Sequence, residues 1–311
     1  MERSSYFIKD KALFGSFPTQ EAVHELEQEG VRYFINLTQP YEKRITPYIT
    51  NYTSISFPIT DRHVPHNWRE FSCFLFYIAN IINSLKNKEL IYIHCKGGHG
   101  RSGIVVACLM CLIFKLSPEN ALEHTRISHS NRSIMRDKWR KLGAPQTEHQ
   151  KRFVYKFFEP IFFYRAYKTG LTAGFSNFTP HEVEYKNITY PTAEAAIQAH
   201  KNPYDQKYLI NQSQARTPII SKNLGRKVEL RIDWKDVCEE LMYEIVKCKF
   251  DQHPELKFNL LNTGLRPIIQ HTHGDSFWGD GGDGKGLNKL GKVLMRVRKD
   301  YYRQIYQELF H

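Results

Sequence analysis

The sequence predicts two domains, the first of α/β class, and three observations support this prediction. The chain has 311 residues, which is enough for two domains of ordinary size. In the first half, segments patterned like strands alternate with segments patterned like helices. In the second half, a separate set of motifs begins near residue 163, includes the glycine-rich stretch 277–286 and ends near residue 298. We therefore expect one domain at residues 1–160 and another at residues 161–311.

The elements of the first half follow from hydrophobic periodicity. Residues 21–26 are amphipathic and predict a helix, and residues 31–37 predict a strand. Residues 67–85 predict a longer apolar helix. Residues 89–93 then predict a buried strand, and residues 103–110 predict an apolar helix. The loop between these last two elements is therefore held at the edge of a sheet and at the start of a helix.

This loop carries the most informative motif of the chain. It reads His94-Cys95-Lys96-Gly97-Gly98-His99-Gly100-Arg101-Ser102. Backbone N–H groups converge where a strand, a glycine-rich turn and a helix N-terminus meet, and such groups bind anions. The same positive field favours the thiolate form of a cysteine. One loop can therefore bind a phosphate and present Cys95 to it as a nucleophile.

The loop resembles the Cys-x5-Arg-Ser/Thr signature of protein tyrosine and dual-specificity phosphatases. The resemblance implies a central mixed sheet flanked by helices, and hydrolysis of phosphomonoesters through a phosphocysteine. Residues 12–18 are similar to the first strand and turn of this family, and residues 145–153 to its last helix. Arg101 would clamp two phosphate oxygens, and Ser102 would hydrogen-bond the departing thiolate. The expected phosphate-binding residues are Lys96, Gly97, Gly98, His99, Gly100, Arg101 and Ser102.

Phosphate transfer to Cys95 also needs a general acid for the leaving oxygen. In this family the acid lies on a separate loop upstream of the signature. Asp61 follows a strand-like apolar run and precedes a turn bounded by Pro65, so we expect it to protonate the leaving group and later to activate water. The alternative is an ordinary turn residue. Gln146, near the start of the last helix, is a candidate for positioning water, and a plain helix-start role is equally open.

The second half resembles a different family, the NADAR or YbiA-like domains. Four of the matching pieces are Gly174-Phe175-Ser176-Asn177-Phe178, Tyr190-Pro191-Thr192-Ala193-Glu194, Arg231-Ile232-Asp233-Trp234 and the glycine-rich block from Phe277 to Gly286. The resemblance implies an α+β, helix-rich domain. It also implies cleavage of an N-glycosidic bond in ADP-ribose derivatives or related ribosylamine phosphates.

Glu194 is the expected catalytic residue of the second domain. Glycosidic cleavage at a ribose passes through an oxocarbenium-like state, which needs a nearby carboxylate. The alternative is an acid that only favours the helix dipole. Trp278 offers a stacking face, and Arg231 and Lys285 are candidates for binding phosphates. The other expected ribosyl- or nucleotide-binding residues are Asn177, Trp234, Gly279, Asp280 and Asp283.

The sequence departs from the NADAR pattern directly after Glu194. The family usually carries a histidine and a bulky aromatic residue there, and this chain has Ala195-Ala196. The small pair keeps open that the domain binds ADP-ribosyl groups without cleaving them. A lysine that forms a Schiff base with an opened ribose is a further alternative. Lys168 and Lys201 lie nearest to the motifs, and we expect both to be solvated.

The composition fits anionic substrates. The net charge is +12, which suits phosphoproteins, nucleotide-derived phosphates, ADP-ribosylated bases or nucleic acid. Six cysteines show no disulfide-like pattern, and Cys95 must stay reduced, so we expect a reducing compartment, the cytoplasm or the nucleus. No signal peptide and no apolar run of ~20 residues is visible. We expect neither a metal nor another cofactor.

These observations predict a bifunctional hydrolase. The first domain would hydrolyse phosphomonoesters, and the second would cleave N-glycosidic bonds, with removal of ADP-ribose from guanine in nucleic acid as one form of that activity. The alternative is a phosphatase for phosphoinositides or for RNA or nucleotide phosphates, whose second domain only binds ADP-ribose.

Overall fold

The computed structural model describes residues 3–164 and 169–310, and the chain divides into two compact units. The first unit comprises residues 1–158 and the second comprises residues 159–311. The first unit has one sheet and the second has two, and each unit has its own buried core.

The first unit contains a five-stranded mixed sheet, which confirms the predicted α/β class. Its strands are β1 (Ser4–Ile8), β2 (Ala12–Gly15), β3 (Val31–Asn36), β4 (Thr53–Ser56) and β5 (Leu90–His94). They lie in the order β1-β2-β5-β3-β4. The β1–β2 pair is antiparallel and all other neighbours are parallel. All residues of the central strand β5 are buried, as expected for a parallel strand covered on both faces.

Six helices of the first unit lie within the described residues. They are α1 (Gln20–Gln28), α2 (Trp68–Ser84), α3 (Gly100–Phe114), α4 (Pro118–Ser130), α5 (Asp137–Leu142) and α6 (Glu148–Phe157). Helix α3 packs against α2, α4 and α6 and is buried from Gly100 to Cys111, which explains why its sequence is apolar on all sides. Side-chain N-caps begin four of the helices at Thr19, Asn67, Ser117 and Thr147.

The structure differs from the sequence prediction at the ends of elements. The segment predicted as the first strand is the second, because β1 precedes it. Only alternate residues of β1 are buried, and its two serines weaken the apolar signal. Helix α3 begins at Gly100, three residues before the predicted start, because the glycine-rich loop already turns into the helix there. Helices α4 and α5 were not predicted.

The second unit is α+β and rich in helices, which confirms the predicted class. Its strands are β6 (Ile161–Phe163), β7 (Val183–Tyr185), β8 (Ile188–Tyr190) and β9 (Ile268–Gln270). Its helices are α7 (Ala193–Ala199), α8 (Gln206–Ser213), α9 (Pro218–Gly225), α10 (Trp234–Gln252), α11 (Pro254–Asn262) and α12 (Lys289–Phe310). Strands β6 and β9 pair in parallel, whereas β7 and β8 form an antiparallel hairpin. Every residue of α7 is buried, so this helix lies in the core of the unit.

Two general properties of the described chain bear on function. Across residues 3–164 and 169–310, no helix combines the length and the apolar character that crossing a membrane requires. All six cysteines are free thiols, and five of them are buried.

Candidate active sites

The phosphate-binding loop predicted from the sequence joins the central strand β5 to helix α3. Cys95 directly follows β5 and has only 2% of its surface exposed. Helix α3 begins five residues later, at Gly100, so its first N–H groups point toward the loop. Ser102 places its Oγ 3.5 Å from the Cys95 Sγ. The nucleophile and the group expected to stabilise it as a leaving thiolate are therefore in contact.

Close packing explains two glycines around this loop. Gly98 has a φ of +73°, a left-handed conformation that favours glycine. A Cβ atom at Gly98 would lie 2.3 Å from the carbonyl carbon of Gly15, at the end of β2. A Cβ atom at Gly103 would lie 2.9 Å from Pro145. The loop is thus held between the sheet edge and the segment that leads into α6.

Arg101 is buried, with 1% of its side chain exposed, and carboxylates compensate its charge. Its two terminal nitrogens donate to the two oxygens of Glu42 at 2.7 and 2.9 Å. Nη1 also donates to the carbonyl of Ile59 at 3.1 Å, and Nη2 lies 3.0 Å from Oδ1 of Asp61. The Nε–H has no hydrogen-bond partner among the described residues. One guanidinium donor is therefore left for a ligand in the loop.

The predicted acid, Asp61, lies at this site, as its contact with Arg101 shows. Its side chain is 58% exposed, so it can meet both a substrate and solvent. Glu42 was not predicted, although it is the strongest partner of Arg101. The hydrogen bonds from Arg101 lower the pKa of Glu42, while burial opposes them, so the carboxylate stays ionised. In the sequence, Glu42 can be recognised only as an isolated acidic residue in the loop after β3.

The side chains of Lys96, His94 and His99 all have hydrogen-bond partners outside the loop. The Lys96 Nζ donates to the carbonyl of Lys43 at 2.5 Å. His94 Nε2 lies 2.7 Å from the Tyr48 hydroxyl. His99 Nδ1 lies 2.7 Å from Nε2 of His129. Burial lowers the pKa of His94 to about 3 and that of His99 to about 4, so both rings are neutral at physiological pH. The predicted phosphate contacts of Lys96 and His99 would therefore be made by their backbone N–H groups.

Gln150, rather than the predicted Gln146, is the glutamine that the structure places against the loop. Gln150 is fully buried, and a Cβ atom at Gly100 would lie 2.8 Å from its amide. Its Nε2 donates to the carbonyl of His63 at 3.2 Å. It also forms a reciprocal capping box with Thr147. Gln150 thus connects the start of α6 to the segment that carries Asp61.

The second unit contains a cavity of about 700 Å³ around Glu194. This volume lies in the range of ~300–1,000 Å³ typical of small-molecule sites. Glu194 lies on α7, which Thr192 caps by accepting a hydrogen bond from the N–H of Ala195 at 3.1 Å. The lining residues with polar or aromatic side chains include Asn177, Phe178, Glu194, Gln198, Lys201, Lys222, Arg226, Gln270, Thr272, Asp275 and Trp278.

Glu194 is 8% exposed and accepts a hydrogen bond from Gln198 Nε2 at 2.8 Å. Burial raises the pKa of Glu194, and the charges of Lys222 and Lys201 partly offset this rise. A carboxyl group with a raised pKa is suited to accept and return a proton near neutral pH. Glu194 is thus more than a helix-start acid, because it forms part of the cavity wall.

Three residues that line this cavity have an amide oxygen without a hydrogen-bond partner. Asn177 Oδ1, Gln198 Oε1 and Gln270 Oε1 are all buried and have no hydrogen-bond partner in the described chain. The amide orientation follows from their nitrogens, since Gln198 Nε2 donates to Glu194 and Asn177 Nδ2 contacts the Met242 sulfur at 3.2 Å. Buried acceptors without partners are rare, and a ligand that supplies O–H or N–H groups would satisfy them.

Three cations line the same cavity: Lys201, Lys222 and Arg226. Lys201 was expected to be solvated, but it is half-buried, and its Nζ donates to the Gly225 carbonyl at 3.1 Å. Burial lowers the pKa of Lys201, whereas Glu194 raises it. The other lysine named with it, Lys168, lies outside the described residues.

The predicted phosphate-binding residues Arg231 and Lys285 are not among the residues that line this cavity. Arg231 is held by both carboxylate oxygens of Asp233, at 2.5 and 2.8 Å. The Lys285 side chain is 87% exposed and lies 3.8 Å from Asp283. The sequence alone could not distinguish Arg231 and Lys285 from the three basic residues that line the cavity. The packing of α7 against α9 brings those three together.

Only part of the glycine-rich block, residues 277–286, lines the cavity. Trp278 lines the cavity, and Trp234 lines a neighbouring one of about 470 Å³ that also includes Trp278. Asp280 is turned inward and accepts from the N–H groups of Thr272 and Gly282 at 3.0 and 2.9 Å. Gly279 and Asp283, the remaining expected ligand contacts, do not line the cavity either. Asp283 instead accepts a hydrogen bond from the Lys285 N–H at 3.0 Å.

Lys249 fixes the segment that carries Asn177. Its ammonium group donates to the carbonyls of Gly174 and Ser176 at 2.6 and 2.9 Å and to the Thr179 hydroxyl at 2.7 Å. Burial lowers the pKa of Lys249 to about 7. Lys249 is therefore a positioning residue of this cavity that sequence motifs did not reveal.

Among the described residues, no group of three or more histidine, cysteine or acidic side chains could hold a metal ion.

Ala195 and Ala196, where the NADAR pattern usually has larger residues, are both fully buried. The small side chains thus belong to the core around α7.

Comparisons with known families match the two units separately. Residues 2–154 match the family described as "Swiss Army Knife protein, DSP-PTPase phosphatase domain", and residues 162–301 match the NADAR domain. The chain is 32% identical over 297 residues to the putative tyrosine phosphatase 197R of Invertebrate iridescent virus 6, covering 95% of this chain and 90% of the relative.

A second group of relatives matches the C-terminal unit alone. N-glycosidase YbiA of Escherichia coli strain K12 is 39% identical over 127 residues, which cover 40% of this chain and 79% of the relative. The NMR structure of E. coli YbiA aligns with a TM-score of 0.44 and 35% identity, over 49% of this chain and 89% of that one.

Three histidines of the first unit, the buried His94 and His129 and the partly buried His99, predict acid sensitivity. Burial lowers their pKa values to about 3, 4 and 3. The unfolded chain, with histidine pKa values of ~6.5, binds more protons below that pH, so stability is lost as the pH falls. We expect a loss of about 1.4 kcal/mol per histidine for each pH unit below ~6.5.

Calorimetric unfolding of the full chain between ~pH 7 and ~pH 5 tests this expectation. The transition of the first unit is identified by its shift with added phosphate. The variant His149→Gln, which removes an exposed histidine, should leave the pH slope unchanged. An equal stability of the first unit at both pH values would contradict the prediction.

Proposed function

The chain belongs to the family that joins a DSP-PTPase phosphatase domain to a NADAR domain, and we propose that it is a hydrolase with two active sites. The first site would hydrolyse phosphomonoesters at Cys95. The second would cleave an N-glycosidic bond beside Glu194. Both sites would use only side chains and backbone groups of this chain, in a reducing compartment such as the cytoplasm or the nucleus.

In the first step at the phosphatase site, the Cys95 thiolate attacks the phosphorus atom. The bond between phosphorus and the ester oxygen breaks, and Asp61 gives its proton to that oxygen. Arg101 and the loop N–H groups bind the three phosphate oxygens, whose negative charge is compensated in the transition state. The unpaired Arg101 Nε is available for this contact.

In the second step, water attacks the phosphocysteine. Asp61, now a carboxylate, takes a proton from the water, the bond between phosphorus and sulfur breaks, and orthophosphate leaves. Ser102 donates a hydrogen bond to the departing thiolate, as its 3.5 Å contact with Cys95 permits. The contact of Asp61 with Arg101 carries this proposal, because it brings an acid from a separate loop to the arginine of the phosphate-binding loop.

At the second site, we propose that Glu194 assists hydrolysis of a ribosyl–nitrogen bond. Its carboxylate stabilises the oxocarbenium-like state. Water adds its oxygen to the anomeric carbon, the carbon–nitrogen bond breaks, and the proton of the water passes through Glu194 to the departing nitrogen. The raised pKa of Glu194 supports this proton transfer, because burial makes the carboxylate a better base.

The lining of the cavity favours a ribosyl phosphate as its ligand. Lys201, Lys222 and Arg226 supply positive charge for phosphate, whereas the unpaired amide oxygens suit ribose hydroxyls and amino groups. Trp278 offers an aromatic face for a base. We therefore propose ADP-ribosyl or ribosylamine phosphate compounds as substrates, including ADP-ribose attached to guanine in nucleic acid.

The two activities should be separable by single substitutions. We expect Cys95→Ser to lower phosphomonoester hydrolysis by ~10³ or more, because the hydroxyl is a poor nucleophile without a base. We expect Glu194→Gln to lower release of base from ADP-ribosylated guanosine and from a ribosylamine phosphate by ~10² or more.

Each variant serves as the control for the other, since each unit has its own core. Base release that continues at the wild-type rate in Glu194→Gln would overturn the role of Glu194. Ligand binding by calorimetry without any base release would instead support the binding-module alternative.

Glu42 should be essential for efficient phosphate transfer. The variant Glu42→Gln removes the paired carboxylate that orients Arg101, and a misplaced catalytic group costs up to ~10² in rate. We expect kcat/KM for para-nitrophenyl phosphate to fall about 10- to 100-fold. Glu119→Gln, an exposed acid on α4, is the control. A wild-type kcat/KM in Glu42→Gln would show that Arg101 is oriented without it.

The pH profile of the second site should shift when a neighbouring charge is removed. Base release requires ionised Glu194, so kcat/KM should decrease as the pH falls through its raised pKa. Lys222 stabilises the carboxylate, and Lys222→Met should therefore move this acidic limb to higher pH. Lys227→Met, an exposed lysine outside the cavity, is the control. A limb that stays in place in Lys222→Met would argue against Glu194 as the titrating group.

A further inference from the structure

A small cavity beside the phosphate-binding loop carries an excess of positive charge. Its volume is about 240 Å³, and it touches the loop residues Gly97 and His99. The other lining residues are Arg3, Ser16, Arg132, Ile134, Met135, Arg136 and Trp139. Three of these are arginines and none is acidic. We name this space the arginine cavity.

Arg132 is the most unusual of these residues, because it is a buried arginine without a carboxylate. Only 3% of it is exposed. Its Nη2 donates to the Phe14 carbonyl at 3.1 Å, and its guanidinium lies 4.4 Å from the centre of the Phe14 ring. Burial lowers the pKa of Arg132 to about 10, so the side chain stays charged at neutral pH. A buried charge of this kind is stabilised by an anion.

The other two arginines are exposed and also lack carboxylate partners. Within residues 3–164 and 169–310, no acidic oxygen lies within ion-pair distance of Arg3, Arg132 or Arg136. Elsewhere in the first unit, Arg101 and Arg126 are both paired with glutamates. Within the described residues, no carboxylate therefore compensates the positive charge of the arginine cavity.

The histidines of the cavity wall do not supply this charge. His99 stacks on Trp139 with ring centres 4.8 Å apart and shares a hydrogen bond with His129. Burial and the nearby Arg132 lower the pKa of His99 to about 4 and that of His129 to about 3. Both rings are neutral at physiological pH. His99, which lines the arginine cavity, and its partner His129 therefore add no charge to it, and the arginines alone attract an anion.

The size of the cavity limits what it can hold. Sites for drug-sized ligands usually measure ~300–1,000 Å³, so this cavity accommodates a phosphate group with a few attached atoms. A ligand in it would lie next to the phosphate bound by the loop, because Gly97 and His99 of that loop line the cavity.

We propose that the arginine cavity binds a second phosphate group of the substrate while the scissile phosphate occupies the Cys95 loop. The preferred substrate of the first site is then a compact molecule with two neighbouring phosphates, either a soluble bisphosphate or the headgroup of a lipid. This inference rests on the proposed phosphatase function and specifies its substrate class.

The test compares the full chain with its variants Arg3→Ala and Arg136→Ala, singly and together. Both side chains are exposed, so their removal leaves the core intact. The substrates are adenosine bisphosphate and adenosine monophosphate, phosphatidylcholine vesicles containing a phosphatidylinositol bisphosphate or monophosphate, and para-nitrophenyl phosphate. Arg152→Ala, an exposed arginine on α6 that lines a different cavity, is the matched control.

We expect wild-type kcat/KM to be about tenfold higher for a bisphosphate than for its monophosphate, and this advantage to disappear in the double variant. Hydrolysis of para-nitrophenyl phosphate should stay unchanged in both single variants and in the control. The advantage should also weaken as ionic strength rises. A loss confined to the adenosine pair identifies a soluble substrate, and a loss confined to the vesicles identifies a lipid headgroup.

A bisphosphate advantage that survives in the double variant, or that is absent from the wild type, would overturn the proposal. Calorimetry with the Cys95→Ser chain separates this result from failure of the proposed phosphatase activity. If para-nitrophenyl phosphate is not hydrolysed, the phosphatase function fails, but Arg136-dependent binding of adenosine bisphosphate still decides whether the arginine cavity holds a phosphate. The variant Arg132→Lys, which keeps the charge but loses the planar fork, should weaken that binding as well.

Discussion

The buried guanidinium of Arg101 is the interaction on which the first active site depends. A charged group with 1% exposure must find partners within the chain, and it finds them in the loops that follow β3 and β4. Glu42 holds both terminal nitrogens, whereas Asp61 contacts one of them. Three segments that are distant in sequence therefore meet at the carboxyl edge of the parallel strands, beside Cys95.

This arrangement explains which parts of the site were predictable from the sequence. Cys95, Arg101 and Ser102 belong to one short motif between a buried strand and an apolar helix, so local patterning was sufficient. Glu42 was missed because its contact joins residues 59 positions apart, and no local spacing encodes such a pair. The fold class was predictable from hydrophobic periodicity. Strand β1 and helices α4 and α5 were not, because their patterns are short or mixed.

The second site was predictable to a different extent. The residues Glu194, Asn177 and Trp278, to which the family motifs pointed, all line one cavity in the structure. The predicted phosphate-binding residues Arg231 and Lys285 do not line this cavity. A sequence does not distinguish an exposed basic residue from one that lines a cavity. Lys201 follows α7, whereas Lys222 and Arg226 lie on or next to α9, so only the packing of these two helices brings the charges together.

The unpaired polar atoms of both sites have a consequence for the evolution of the chain. A buried donor or acceptor without a partner costs roughly 1–3 kcal/mol, and Arg101 Nε, Asn177 Oδ1, Gln198 Oε1 and Gln270 Oε1 are such atoms. The empty protein is therefore less stable than its fold permits, and ligands that satisfy these atoms stabilise it by mass action. Selection for stability alone would replace these side chains with apolar ones and erase both sites.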